Sequence, residues 1–193
     1  MSTLTNYFSP TITTMIRMDH AHVLSTFHKY KADTAPDIKQ ALVNTVSLAL
    51  EIHAQLEEEI FYPALRAITT NNAVLTKSEP EHNEMRSLIG QLRDMKPTAT
   101  LYDDTFMSLM RHVIHHVADE ETVLLPEAER LLADQLSELG AQMTRRRLTL
   151  AGPKAGSIAS NMVRAMPAST MLVTAGGLVA GGYLIKRALE RRP

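Results

Sequence analysis

The chain has 193 residues, 45% of them hydrophobic and 21% charged, which suits one globular domain with an extension. It contains no Cys, so disulfides, thiolate zinc sites and iron–sulfur clusters are excluded, and any metal must be held by His and carboxylates. A net charge of −1 offers no electrostatic footing for nucleic acid.

Residues 1–10 are expected as an irregular arm ending at Pro10, without the basic and apolar run of a secretory signal. From Thr11 to Lys31, residues Ile12, Ile16, Val23, Leu24 and Phe27 recur at helical spacing, and Asp19-His20 lies inside the run. A loop leads, through Thr34 or Ala35 as cap and Pro36 in the first turn, into a second helix expected to reach Thr69. Leu42, Val46, Ile52, His53 and Ile60 form its inward stripe, and Pro63 should kink or break it. A third helix is expected over Ser78–Met95, opened by a capping box of Ser78 and Glu81 with Pro80 in the first turn. It carries His82, Met85 and Ile89. A fourth runs from Leu101 to Gly140, carries Phe106, Val113, His116 and Glu120, and is kinked at Pro126. Four amphipathic helices with short loops and no strand-like alternation predict an all-α, up-down-up-down four-helix bundle over residues 11–140.

Residues 141–164 contain Arg145-Arg146-Arg147 and then Gly, Pro, Ala and Ser, and read as a basic, flexible linker. Residues 165–190 read as an apolar C-terminal helix, uncharged from Ala165 to Ile185 and carrying Gly177-x-x-x-Gly181. That length just spans a bilayer. The expectation is a transmembrane anchor holding a cytoplasmic domain at the inner face of a membrane, with docking on the bundle or self-association as the alternative.

The chain also repeats itself. His53-Ala-Gln-Leu-Glu57-Glu-Glu-Ile-Phe-Tyr-Pro63 and His116-Val-Ala-Asp-Glu120-Glu-Thr-Val-Leu-Leu-Pro126 share a His, a Glu-Glu pair and a Pro at the same offsets. Asp19-His20 precedes the first block by about the separation at which Glu81-His82 precedes the second. Residues four apart share a helix face, so His53 and Glu57, like His116 and Glu120, point the same way. With His20 and His82, they give a set of four imidazoles and two carboxylates. Iron and similar divalent ions, manganese included, accept such ligands without thiols. A pair of ions in a bundle needs carboxylates that bridge, here Glu57 and Glu120, and imidazoles that complete each ion's shell. Burying this set without a cation would be costly. His22 sits about 200° around the helix from His20, and His28 and His115 also point elsewhere. Glu58, Glu59 and Glu121 are expected to be solvated or to support the ligands. Tyr62 and Met85 read as core residues that could also line a small-molecule pocket. His112, one turn before His116, supports the site or adds a ligand, and Arg86 supports it or lies on the surface.

The segments MDHAHVLSTF, EIHAQLEEEIFYP, EPEHNEM and HHVADEETVLLP, in that order over residues 11–135, resemble the hemerythrin-like, His-His-Glu cation-binding family. The resemblance implies a non-haem di-iron centre, oxo- or hydroxo-bridged, that meets O2, peroxide or NO. It carries the ligand role to His20, His53, Glu57, His82, His116 and Glu120. Oxygen-carrying members of the family have a further His one turn after the third-helix His, where this chain has Arg86. That leaves an open position on both ions and favours reaction with a small oxidant, as an oxidoreductase, over reversible carriage. The alternative is a non-catalytic module that binds or senses oxygen, NO or iron.

Overall fold

The computed structural model describes residues 10–69 and 72–165. Helix α1 (Ile12–Phe27) is capped by the Thr11 side chain, which accepts from the Thr14 N–H. It stops at His28, short of the expected Lys31. Helix α2 (Pro36–Leu56) starts on its proline without a side-chain cap, because the Thr34 hydroxyl accepts from the Lys31 N–H instead.

No break occurs at Pro63. Residues Glu57–Phe61 form a π-helical turn, in which the Tyr62 N–H reaches the Glu57 carbonyl five residues back, and α3 (Tyr62–Arg66) continues beyond it. A proline cannot donate to the carbonyl four residues back, and its ring crowds it. Widening the preceding turn by one residue accommodates the ring. The second block does the same: Glu120–Leu124 is a π turn, with Leu125 N–H on Glu120 C=O, ahead of Pro126 and α6 (Leu125–Leu131).

Between them lie α4 (Ala73–Asp94) and α5 (Tyr102–Asp119). The expected start of the third helix at Ser78 is corrected. Asn72 is the cap, accepting from the Leu75 N–H at 3.0 Å. Ser78 is buried in the helix and donates to the Val74 carbonyl. Pro80 sits in the helix interior.

The expected fourth helix to Gly140 is also corrected. The chain turns at 132–135, where buried Leu132 leaves helical geometry without any Gly or Pro. Helix α7 (Leu136–Ala151) then returns to pack on α1 and α2. Gly140 is not a stop but a contact point inside α7, where a Cβ would lie 2.1 Å from the Pro10 carbonyl oxygen. Residues 141–164, expected as a flexible linker, are helical: the rest of α7, a 3-10 turn at Gly152–Lys154, and α8 (Ala155–Ala165), which packs on α2. Leu139, Ala141 and Met143 are buried, an apolar face that a linker would have left in water.

Among the described residues there is no strand, and no helix is long and apolar enough to cross a membrane. The apolar helix expected over 165–190 lies outside the described residues except for Ala165, as do residues 1–9 of the arm.

Helix α1 packs on α2, α4 on α5, and α2 on α4. Two apolar clusters result. Ile16, Leu56, Phe61, Leu65 and Leu124 belong to one; Val23, Val46, Met85, Phe106 and Val113 belong to the other. Along α1 the order is Ile16, His20, Val23, and through α5 it is Val113, His116, Glu120, Leu124. A polar layer therefore crosses the bundle between two dry cores. Each fully buried aliphatic or aromatic side chain contributes roughly 1.5–3 kcal/mol, and together they close that layer to water.

Candidate metal centre

Four helical segments each deliver an imidazole to the polar layer, and the two π turns deliver Glu57 and Glu120 at their first residues. All six side chains belong to residues 4% exposed or less. They converge in two overlapping groups, His20, His53, Glu57 and Glu120, and Glu57, His82 and His116. Within each group the donor atoms lie within 4.8 Å of one another.

Every imidazole is held from behind. The Nδ1 atoms of His20, His82 and His116 lie 2.9 Å from Glu121, Glu58 and Glu81 respectively, and that of His53 lies 3.4 Å from Asp19. An ionised carboxylate only accepts, so each ring donates from Nδ1 and turns its Nε2 inward. Glu58 and Glu121, expected to be solvated or to support the ligands, bond His82 and His20, whereas Asp19 and Glu81 in this role are what sequence reasoning missed. The signal was there, since each stands immediately beside one of the six. A neighbour on a helix is rotated by about 100°. It therefore points sideways and serves the histidine of the adjacent helix.

Each outer acid meets a cation, two of them shared, since Lys77 also bonds Asp119 and Arg17 bonds Glu129. Arg147 of α7 grips Asp19 with two 2.6 Å bonds, and Arg86 donates to both oxygens of Glu58 at 2.8 Å. Lys77 lies 3.2 Å from Glu81, and Arg17 lies 4.0 Å from Glu121. Arg86 thus supports the centre through Glu58 and His82. His112 does not. It turns outward to Glu84, 3.2 Å away, so it neither ligates nor supports. His22, His28 and His115 are exposed.

Several inward atoms have no hydrogen-bond partner: Nε2 of His20, Nε2 of His53, Oε1 of Glu57 and Oε2 of Glu120 are buried without one. Nε2 of His82 and Nε2 of His116 face each other at 3.0 Å. The donor nearest at hand is the Tyr62 hydroxyl, 2.8 Å from Glu120 Oε1 and 3.2 Å from Glu57 Oε2. Burial, reinforced by Glu120, pushes the Glu57 carboxyl well above the usual range. Burial acts the same way on Glu120, but the imidazoles of His20, His116 and His53 outweigh it and hold that carboxyl at about 2. Burial draws His53 down to about 4 despite Asp19. Asp19 and Glu58 stay ionised, at about 2, because His53 with Arg147, and His82 with Arg86, overcome their burial.

On the imidazole side lies a cavity of about 10 Å³, walled by Val23, Leu50, Ala54, Met85, Val113 and Val117. That is about the space of one water-sized probe. Met85, read as core or pocket lining, does both. A larger groove of about 240 Å³ between α1, α2 and α8 shares no residue with this cavity.

The profile of the hemerythrin HHE cation binding domain matches residues 11–146. A DNA nickase from Nostoc sp. (strain PCC 7120 / SAG 25.82 / UTEX 2576) is 28% identical over 124 residues, 64% of this chain and 35% of that protein. The chain therefore spans about a third of that relative's length. The crystal structure of a hemerythrin HHE cation binding domain-containing protein, the Rv2633c homolog from Mycobacterium kansasii, superposes with a TM-score of 0.62 at 20% identity. It covers 81% of this chain and 99% of its own, a likeness of fold.

Proposed function

The chain belongs to the hemerythrin HHE cation-binding family, and from that premise we propose that it is a non-haem di-iron protein that binds and reacts with O2, peroxide or NO. The carrying observation is the convergence of four Nε2 atoms and two buried carboxylates, with Nε2 of His20, Nε2 of His53, Oε1 of Glu57 and Oε2 of Glu120 left without a hydrogen-bond partner. Burying such a set is costly, and a bound cation offsets that cost. His20, His53 and Glu120 would serve one ion, His82 and His116 the other, and Glu57, common to both donor groups, would bridge. Imidazole with carboxylate and no thiol suits iron. A bound iron pair supplies Lewis acidity and one-electron redox steps toward a small oxidant.

The chain's own residues do the rest. The four outer acids fix each imidazole's tautomer and direction. The two apolar clusters exclude water. Tyr62 holds a proton at its hydroxyl, 2.8 Å from Glu120, beside the reacting space. The small cavity admits nothing much larger than a diatomic. We do not extend the proposal to DNA nicking, the activity in the Nostoc relative's name, because so much of that protein has no counterpart here.

One observation favours a second reading, a binding or sensing module. Arg147 ties Asp19, and through it His53, to α7, so the state of the centre can be felt by the helices that follow the bundle.

Anaerobic loading with Fe(II) followed by metal analysis and an optical spectrum in air tests the proposal. Two ions per chain and near-ultraviolet absorption are expected, and His53→Ala with His116→Ala should lose both while keeping its helical circular dichroism. Fewer than one ion per wild-type chain would overturn it. Repeated consumption of peroxide with a reductant marks an enzyme, whereas one ligand returned unchanged marks a sensor or carrier.

A further inference from the structure

The imidazole-side cavity is the innermost of three spaces in a row. Next to it is a second cavity of about 10 Å³, which shares Leu50, Ala54, His82 and Met85 with the first. This second space has Glu51 and Arg86 in its outer wall. Both residues also line an open cleft of about 570 Å³ on the protein surface, with Glu58 and Arg93. Met85 is thus common to the two inner spaces, and Arg86 to the two outer ones. The row lies between α2 and α4.

Arg86 is fastened across this junction. Its Nη2 donates to both oxygens of Glu58 and its Nη1 to Asn83 Oδ1 at 3.0 Å. The side chain is 35% exposed, so it has water on one side and the inner cavity on the other. Resting on the di-iron reading above, we propose that small uncharged oxidants reach the centre between α2 and α4, through a passage that the Arg86 side chain closes.

The walls select the traveller. Beyond Arg86 they are Leu50, Ala54, Met85 and Ile89, with His82 as the polar exception. An anion would be stopped at the guanidinium or would shed its water into apolar space, which is costly. O2 and NO have no such penalty. Opening requires Arg86 to release Glu58, and exposed side chains change rotamer readily. The acid it releases also orients His82, so entry of ligand and the set of that imidazole are linked.

A second outer arginine supplies a control. Arg17 also approaches an outer acid, Glu121, though more loosely at 4.0 Å and bonded chiefly to Glu129, and it lies outside this row of spaces. Stopped-flow binding of NO to the Fe(II)-loaded protein should therefore separate the two. In Arg86→Ala the association and dissociation rates rise together by roughly tenfold, more than the change in affinity or iron content that follows from loosening Glu58 and His82. Arg17→Ala leaves the association rate as it was. A group that contacts the ligand would change the affinity instead. The metal-free protein gives a second readout. Dissolved O2 should broaden the Met85 ε-methyl NMR signal more than the Leu125 methyls, and more again in Arg86→Ala. Equal acceleration in Arg17→Ala, or no change in either readout for Arg86→Ala, overturns the passage. Loss of iron binding in the wild type with the O2 broadening intact would refute the di-iron reading and leave the passage standing.

Discussion

Residues 53–63 and 116–126 match step for step through the His, the Glu-Glu pair, the π turn and the Pro, and differ where Tyr62 in one corresponds to Leu125 in the other. Both side chains are fully buried. Tyr62 puts a hydroxyl into the polar layer, while Leu125 only packs. A second difference lies further out. Asp19 of the first half is gripped by two bonds from Arg147, whereas its counterpart Glu81 meets one exposed ammonium, that of Lys77. The donors that face inward are thus near-symmetric, and the groups that surround them are not. Two ions held there would sit in unlike fields although the repeat gives them like ligands. Polarity and rigidity of each half were adjusted without touching the six donors.

The largest expected effect tests the symmetric part. Glu57→Ala and Glu120→Ala should each cut the bound iron from two ions to one or none per chain, read by metal analysis on refolded, helical protein. If either variant keeps both ions, that carboxylate is not a donor and the matched set of the two halves breaks.

The next effect concerns the differing pair. Leu125→Ala should cost about 2–5 kcal/mol in denaturant unfolding, with or without metal, because it opens a cavity in a packed core. Tyr62→Phe should cost about 1–3 kcal/mol in the metal-free protein, where it leaves the Glu120 and Glu57 oxygens without their proton donor. Once iron is loaded, those oxygens have another partner and the cost should shrink. An equal cost in both states would mean that the hydroxyl does not stand in for positive charge.

The smallest effect concerns the outer cations. Arg147→Ala should destabilise by about 1 kcal/mol, since its two charge-assisted bonds reach the mostly buried Asp19. Lys77→Ala should stay within about 0.5 kcal/mol, as expected for an exposed pair. Thermal melts of both variants decide it, and a larger loss from Lys77 would reverse the asymmetry.

Much of the inner layer was readable before any coordinates. Spacing of four along a helix places His53 with Glu57 and His116 with Glu120 on one face, and the structure does bring these together with His20 and His82. Helix edges were less legible. Asn72 outcompeted Ser78 as a cap because the apolar face already begins at Leu75. The turn at 132–135 carries no Gly or Pro to announce it. Gly140 looked like a terminator, but its missing side chain is needed for α7 to close on Pro10.

Sequence alone determined the all-helical class, the twofold repeat and the six candidate donors, because period and face are local properties of a helix. Tertiary structure alone decided that Asp19 serves His53, Glu81 serves His116, and Arg147 from a presumed linker anchors the first of these acids. Those pairings cross between helices, and which helices meet, at what rotation, is settled by the packing of the two apolar clusters around the polar layer.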